Sequence, residues 1–132
     1  DQFSKVSFNS SAGTVAGEFM SAMVPFLDSP EAGINALHRF AANPAYKLIG
    51  PTMALWAAYF GDPELALELQ YRDGKPAVDS PESLWQPPFA EMRRLPGFKQ
   101  LVTELGLVAY WRATGNWGEF CKPIGKDDFE CD

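Results

Sequence analysis

Residues 84–121 read LWQPPFAEMRRLPGFKQLVTELGLVAYWRATGNWGEFC, and this run decides the architecture. It holds three of the four tryptophans, the adjacent Arg93 and Arg94, and the prolines Pro87, Pro88 and Pro96. Proline removes a backbone donor and clashes with the preceding turn, so the run divides into short helical pieces rather than one long helix. Pro81 to Trp85 and Pro88 to Leu95 each fit about a turn or two. Pro96 to Leu105 places Phe98, Leu101, Val102 and Leu105 on one face and stops at Gly106, and Leu107 to Arg112 comes next. A terminal helical unit must hide its apolar face from water, and large aromatics do so with few residues. Trp85, Trp111 and Trp117 are therefore expected to cover the last helices rather than to bind anything.

Upstream, helix starts recur. Thr14 suits an N-cap before a stripe of Val15, Phe19, Met20, Met23, Val24 and Leu27. Asp28-Ser29-Pro30-Glu31 offers a cap, a proline for the first helical position and an acid for the positive end of the dipole. The helix after it is expected to bury Ile34, Leu37, Phe40 and Ala41 and to stop before Asn43-Pro44. A further helix from Pro51 carries Met53, Leu55, Trp56, Tyr59 and Phe60. Asp62-Pro63-Glu64 then starts the next, which ends at Asp73-Gly74. Ser29-Pro30-Glu31 and Asp62-Pro63-Glu64 lie 33 residues apart, and Asp79-Ser80-Pro81-Glu82 repeats the four-residue start literally. A period of 33 to 34 with two helices per unit is the mark of tetratricopeptide-like stacking. No run has the alternation of a strand.

The closing order Leu84, Trp85, Phe89, Arg93, Phe98, Leu101, Leu105, Gly106, Leu107, Tyr110, Trp111, Arg112, Trp117, Cys121 resembles the C-terminal end of bacterial tetratricopeptide-repeat (TPR-like) proteins. It is similar in particular to the repeat regions of winged-helix transcriptional regulators and class III adenylate cyclases, over roughly residues 50 to 121. Gly61, Ala66 and Ala54 match that family's turn and small packing positions, whereas Gln70 and Asp73 stand where it places an aromatic and an alanine. The resemblance implies an all-α fold: antiparallel helix pairs in a right-handed superhelical stack with an irregular C-terminal cap. The expected layout is a lead-in over 1–13, degenerate repeats over 14–74, a helical cap over 75–118 and an extended tail over 119–132. The implied role is a non-catalytic module for protein–protein interaction in a regulator. A domain that senses a small molecule between helix pairs is the alternative. The chain begins at Asp1, which implies a piece or a processed product of a longer chain, with an effector domain upstream.

Composition bounds the rest. With 132 residues and 46% hydrophobic content, one domain with a sizeable core is expected. A net charge of −6 argues against nucleic-acid binding, which needs a positive field. The Arg93-Arg94 pair reads as a solvated helix face rather than an anion site. The longest apolar stretch, Met53 to Phe60, is too short to span a bilayer. The acidic balance suits the cytoplasm, with the periplasmic part of a membrane-anchored regulator as the alternative.

No catalytic set assembles in the sequence. His38 is the single histidine, between Leu37 and Arg39 on a helix, with no nucleophile at a telling spacing. Glu64 and Glu68 read as one exposed helix face. No phosphate loop, cofactor motif or metal-ligand cluster occurs. Cys121 and Cys131 are ten positions apart; a local disulfide is chemically feasible, with two separate thiols as the default. Partner-binding candidates are accordingly His38, Trp56 and Tyr59, on the plainer helices between Leu37 and Tyr71, where aromatics can anchor a partner in a groove.

Overall fold

The computed structural model describes residues 11–132, with side chains from Val15 onward. The described chain is mostly helical, with two small antiparallel hairpins. The helices are α1 (Ser11–Met23), α2 (Pro30–Ala41), α3 (Gly50–Tyr59), α4 (Pro63–Glu68), α5 (Ala90–Arg93), α6 (Pro96–Glu104) and α7 (Leu107–Thr114). Short 3-10 turns at Val24–Phe26, Pro44–Ile49, Pro81–Trp85 and Pro87–Phe89 link them. Among the described residues, no helix is long and apolar enough to cross a membrane.

Local chemistry sets the boundaries. Proline occupies the first turn of α2, α3, α4 and α6, where its missing donor costs nothing. Asp62 caps α4 as expected, its Oδ1 accepting from the Leu65 N–H at 3.0 Å. Ser29 holds the corresponding place before α2, but its side chain makes no cap bond there. The expected N-cap at Thr14 is displaced, because α1 already runs from Ser11. The lead-in over 1–13 falls mainly on residues 1–10, outside the described residues, and residues 11–13 belong to α1.

One continuous core joins Phe19 and Met23 of α1, Leu37 of α2, Met53, Ala54 and Ala57 of α3, Leu65 and Ala66 of α4, and Phe98, Leu101 and Val102 of α6. Two glycines permit close approach. A Cβ at Gly33 would lie 2.6 Å from the Phe60 ring, and one at Gly50 would lie 2.7 Å from the Leu69 carbonyl oxygen. Gln70 takes a fully buried place at 1% exposure. Its Nε2 lies 3.8 Å from the Met92 sulfur, while Oε1 has no partner.

Three expectations are corrected. The chain does contain strands: β1 (Tyr71–Arg72) pairs with β2 (Lys75–Pro76) across Asp73-Gly74. Both turn residues have positive φ, 54° and 79°, the conformation that suits an Asp-Gly hairpin. The extended tail over 119–132 is instead a second hairpin, β3 (Cys121–Ile124) with β4 (Asp128–Cys131). Phe129 at 6% exposure pins it to α7 and the tryptophans. Lys99 of α6 also bonds the Asp128 carboxylate at 3.1 Å, and Arg112 of α7 donates to the Asp128 carbonyl at 3.0 Å. The default of two free thiols is also overturned, since Cys121 and Cys131 face one another in register and form a disulfide. The Asp132 N–H donates to the Phe120 carbonyl at 2.7 Å. By alternation, Cys121–Cys131 and Pro123–Phe129 are then non-hydrogen-bonded pairs, where side chains approach most closely.

Candidate functional site

The helix predicted over Val15 to Leu27 does not bury one stripe. Pro25 lies in the 3-10 turn Val24–Phe26, which ends α1 at Met23 and shifts the phase of the residues beyond it. Phe19 and Met23 point into the core, whereas Met20, Val24 and Leu27 are 45%, 54% and 42% exposed. Met20 and Leu27 form one wall of an open groove of about 360 Å³, with Leu55, Trp56 and Tyr59 of α3 and Pro88 completing it. None of the six lining side chains is charged.

The groove is built on fixed aromatics. Trp56 meets Phe19 edge to face at 5.9 Å and leans on Phe60 at 6.0 Å, so its ring is held against the core while the half-buried residue also lines the groove. Tyr59 meets Phe60 at 5.5 Å while remaining 60% exposed. Such a side chain presents apolar area with little rotamer entropy left to lose on binding. The structure thus brings Trp56 and Tyr59 together and leaves His38 apart. His38 Nε2 lies 3.8 Å from Asp62 Oδ2, at the N-terminus of α4, with a side chain 57% exposed. Among the described residues, no group of three His, Cys, Asp or Glu side chains is placed to hold a metal.

A larger concavity, about 550 Å³, lies between α4 and the start of α6, with Glu64, Glu68, Tyr71 and Gln100 on its border. It offers carboxylates but no convergent set of groups. Nearby, the Tyr71 hydroxyl donates to Glu104 Oε1 at 2.8 Å. Burial, reinforced by that bond and by the Glu104 charge, pushes the Tyr71 phenol up to about 12 from its ordinary 10.0. The raised value favours the neutral phenol in the folded state. Its contribution to stability is therefore complete below pH 10.0 and is lost as pH rises towards 12. In a phenolate absorbance titration Tyr71 should give a late step well above pH 10.0. Tyr71→Phe should delete that step and flatten the loss of urea stability above pH 10.0.

Arg93 was legible only as a solvated arginine, and here the structure corrects the reading. It is 6% exposed, its Nη1 donating to the Leu84 carbonyl at 3.0 Å and the Gln86 carbonyl at 3.1 Å, and its Nε to the Asp132 carbonyl. The guanidinium lies 4.8 Å from the Phe120 ring centre and 5.8 Å from that of Trp85. Burial, then the neighbouring Arg94 charge, lowers its pKa from the usual guanidinium value. Arg94 fits the solvated reading, exposed and paired with Glu91 at 2.7 Å. The one signal for Arg93 in the sequence was a cation flanked on either side by aromatic-rich segments. Comparison with protein-family models, with curated proteins and with solved structures finds no match to this chain.

Proposed function

We propose that this chain is a non-catalytic helical-repeat module, TPR-like in its stacking, that binds an apolar segment of a protein partner in a bacterial regulator. The observation that carries the reading is the groove of Met20, Leu27, Leu55, Trp56, Tyr59 and Pro88: uncharged, partly aromatic and open to solvent. A solvent-lined cavity beside Trp56 and His38 would favour a small-molecule sensor. The groove is open and His38 lies elsewhere, which favours a peptide. The TPR-like part of the reading is supported by Ala54 and Ala66, both fully buried, and by Gly61, whose φ of 90° makes the turn between α3 and α4.

The test uses a photo-crosslinking phenylalanine analogue at position 59, with Tyr110, equally aromatic and 56% exposed, as the control position. A protein crosslinked from position 59 alone is identified, purified and titrated against the wild type and Tyr59→Ala. Loss of this anchor should weaken binding roughly 10- to 100-fold. Equal capture from both positions, or unchanged affinity in Tyr59→Ala, rejects the groove as the binding site.

A further inference from the structure

The disulfide and the groove are at different ends of one chain of contacts. Each cysteine has a sequence neighbour that touches Arg93: Phe120 precedes Cys121 and lies under the guanidinium, while Asp132 comes after Cys131 and its carbonyl accepts from Nε. The other end of Arg93 holds the carbonyls of Leu84 and Gln86. Gln86 leads directly into the turn Pro87–Phe89, whose Phe89 is buried and whose Pro88 is a groove wall. Arg93 therefore grips the base of the hairpin with one edge and the segment that carries Pro88 with the other.

The disulfide is placed for exchange. Cys131 is only half-buried and Cys121 is buried, and both border a small surface hollow of about 70 Å³. A dithiol reductant can attack Cys131 Sγ, releasing the Cys121 sulfur through a mixed disulfide. The second thiol of the reductant then displaces Cys131. One dithiol is oxidised to a disulfide, and its two hydrogens end on the two cysteine sulfurs. The hairpin that remains is a two-stranded ribbon of four residues a side, held near its turn by Phe129 and by the Lys99 and Arg112 bonds to Asp128, while its base at Cys121 and Cys131 has lost its cross-link.

We propose that the redox state of Cys121 and Cys131 sets the position of the groove wall at Pro88, with Arg93 as the mechanical link. Oxidised, the hairpin base holds Asp132 and Phe120 against Arg93 and the Pro88 turn is fixed. Reduced, the base loosens, Arg93 loses its anchor on that side, and the Leu84–Gln86 segment relaxes with the wall beyond it. The proposal takes its target from the groove reading above, but its test needs no partner. A failed partner search and a failed coupling are thus separate results.

The chain has four methionines, Met20 in the groove wall, Met92 beside Arg93 in α5, and Met23 and Met53 in the core. With 13C-methyl methionine, each gives one resonance. Adding dithiothreitol to the oxidised protein should shift Met92 and Met20 by more than their linewidths, with smaller changes at Met23 and Met53. The Cys121→Ser/Cys131→Ser double variant should reproduce the reduced spectrum. In Arg93→Lys, titratable thiols should still rise from none to two while the Met20 response disappears. A Met20 signal that ignores reduction overturns the coupling. A Met20 shift of equal size in Arg93→Lys removes Arg93 from the route. Collapse of all four methyls to random-coil positions makes the disulfide a general staple and ends the proposal.

Discussion

Truncation of Trp111 to alanine should lower stability by about 3–5 kcal/mol, the cost of removing a large buried aromatic. In a chain of 132 residues this corresponds to a fall in melting midpoint of roughly 10–20 °C. Trp111 is 7% exposed and central to the aromatic layer, with ring centres of Trp117 at 5.4 Å, Trp85 at 6.2 Å and Phe129 at 6.5 Å. The cavity would open between α7, the hairpin and the Pro81–Trp85 turn, and none of these is long enough to collapse into it. Tyr110, one residue earlier and 56% exposed, is the control: Tyr110→Ala should stay within about 0.5 kcal/mol. Calorimetry on both variants decides. A Trp111→Ala midpoint within error of the wild type would remove the aromatic layer as the closure of this fold.

Arg93→Ala is the second large effect. The side chain serves three carbonyls from two separate segments, and its loss leaves at least the Leu84 oxygen buried without a donor. An orphaned buried acceptor costs about 1–3 kcal/mol, and the lost contact of the guanidinium with the Trp85 and Phe120 rings adds to it. A loss near 3 kcal/mol is expected, seen as a lower denaturation midpoint in urea with an unchanged slope. Arg93→Lys should recover less than half, since a single ammonium cannot reach carbonyls on both sides as a planar fork does. Arg94→Ala, removing an exposed pair with Glu91, should change stability by no more than about 0.5 kcal/mol. Equal effects at the two arginines would contradict the clamp.

The elements that were legible in the sequence are those written in local chemistry. Asp62 before Pro63, Gly106 after Leu105 and Pro96 before Gly97-Phe98 each act over one turn, and the structure has a boundary at each. Trp56 and Tyr59 could be singled out because their helix holds more aromatics than one buried face uses. The features that were not legible depend on contacts distant in sequence. The hairpin strands CKPI and DFEC lack β-branched alternation and gain their pairing from the disulfide and from Phe129 packing on the tryptophans. Arg93 joins two segments because, besides the nearby Leu84 and Gln86 carbonyls, one 39 residues away arrives beside it. Leu27 falls off the core because the helical period does not continue past Met23, where α1 stops, and Met20, inside α1, sits beside the buried face of Phe19 and Met23 rather than on it.

Pro123 gives the second hairpin a further property. Its position opposite Phe129 is a non-hydrogen-bonded one, so the backbone donor that proline lacks would have pointed away from β4. The gap falls on the free flank of β3, the flank from which another chain's strand could extend the ribbon. Lys122, exposed beside it, adds a charge along the same strand. The β3 flank is thus denied a full row of donors, while the disulfide ties β3 to β4 on the other side. That guards this flank against strand-on-strand pairing, the hazard of an exposed strand edge.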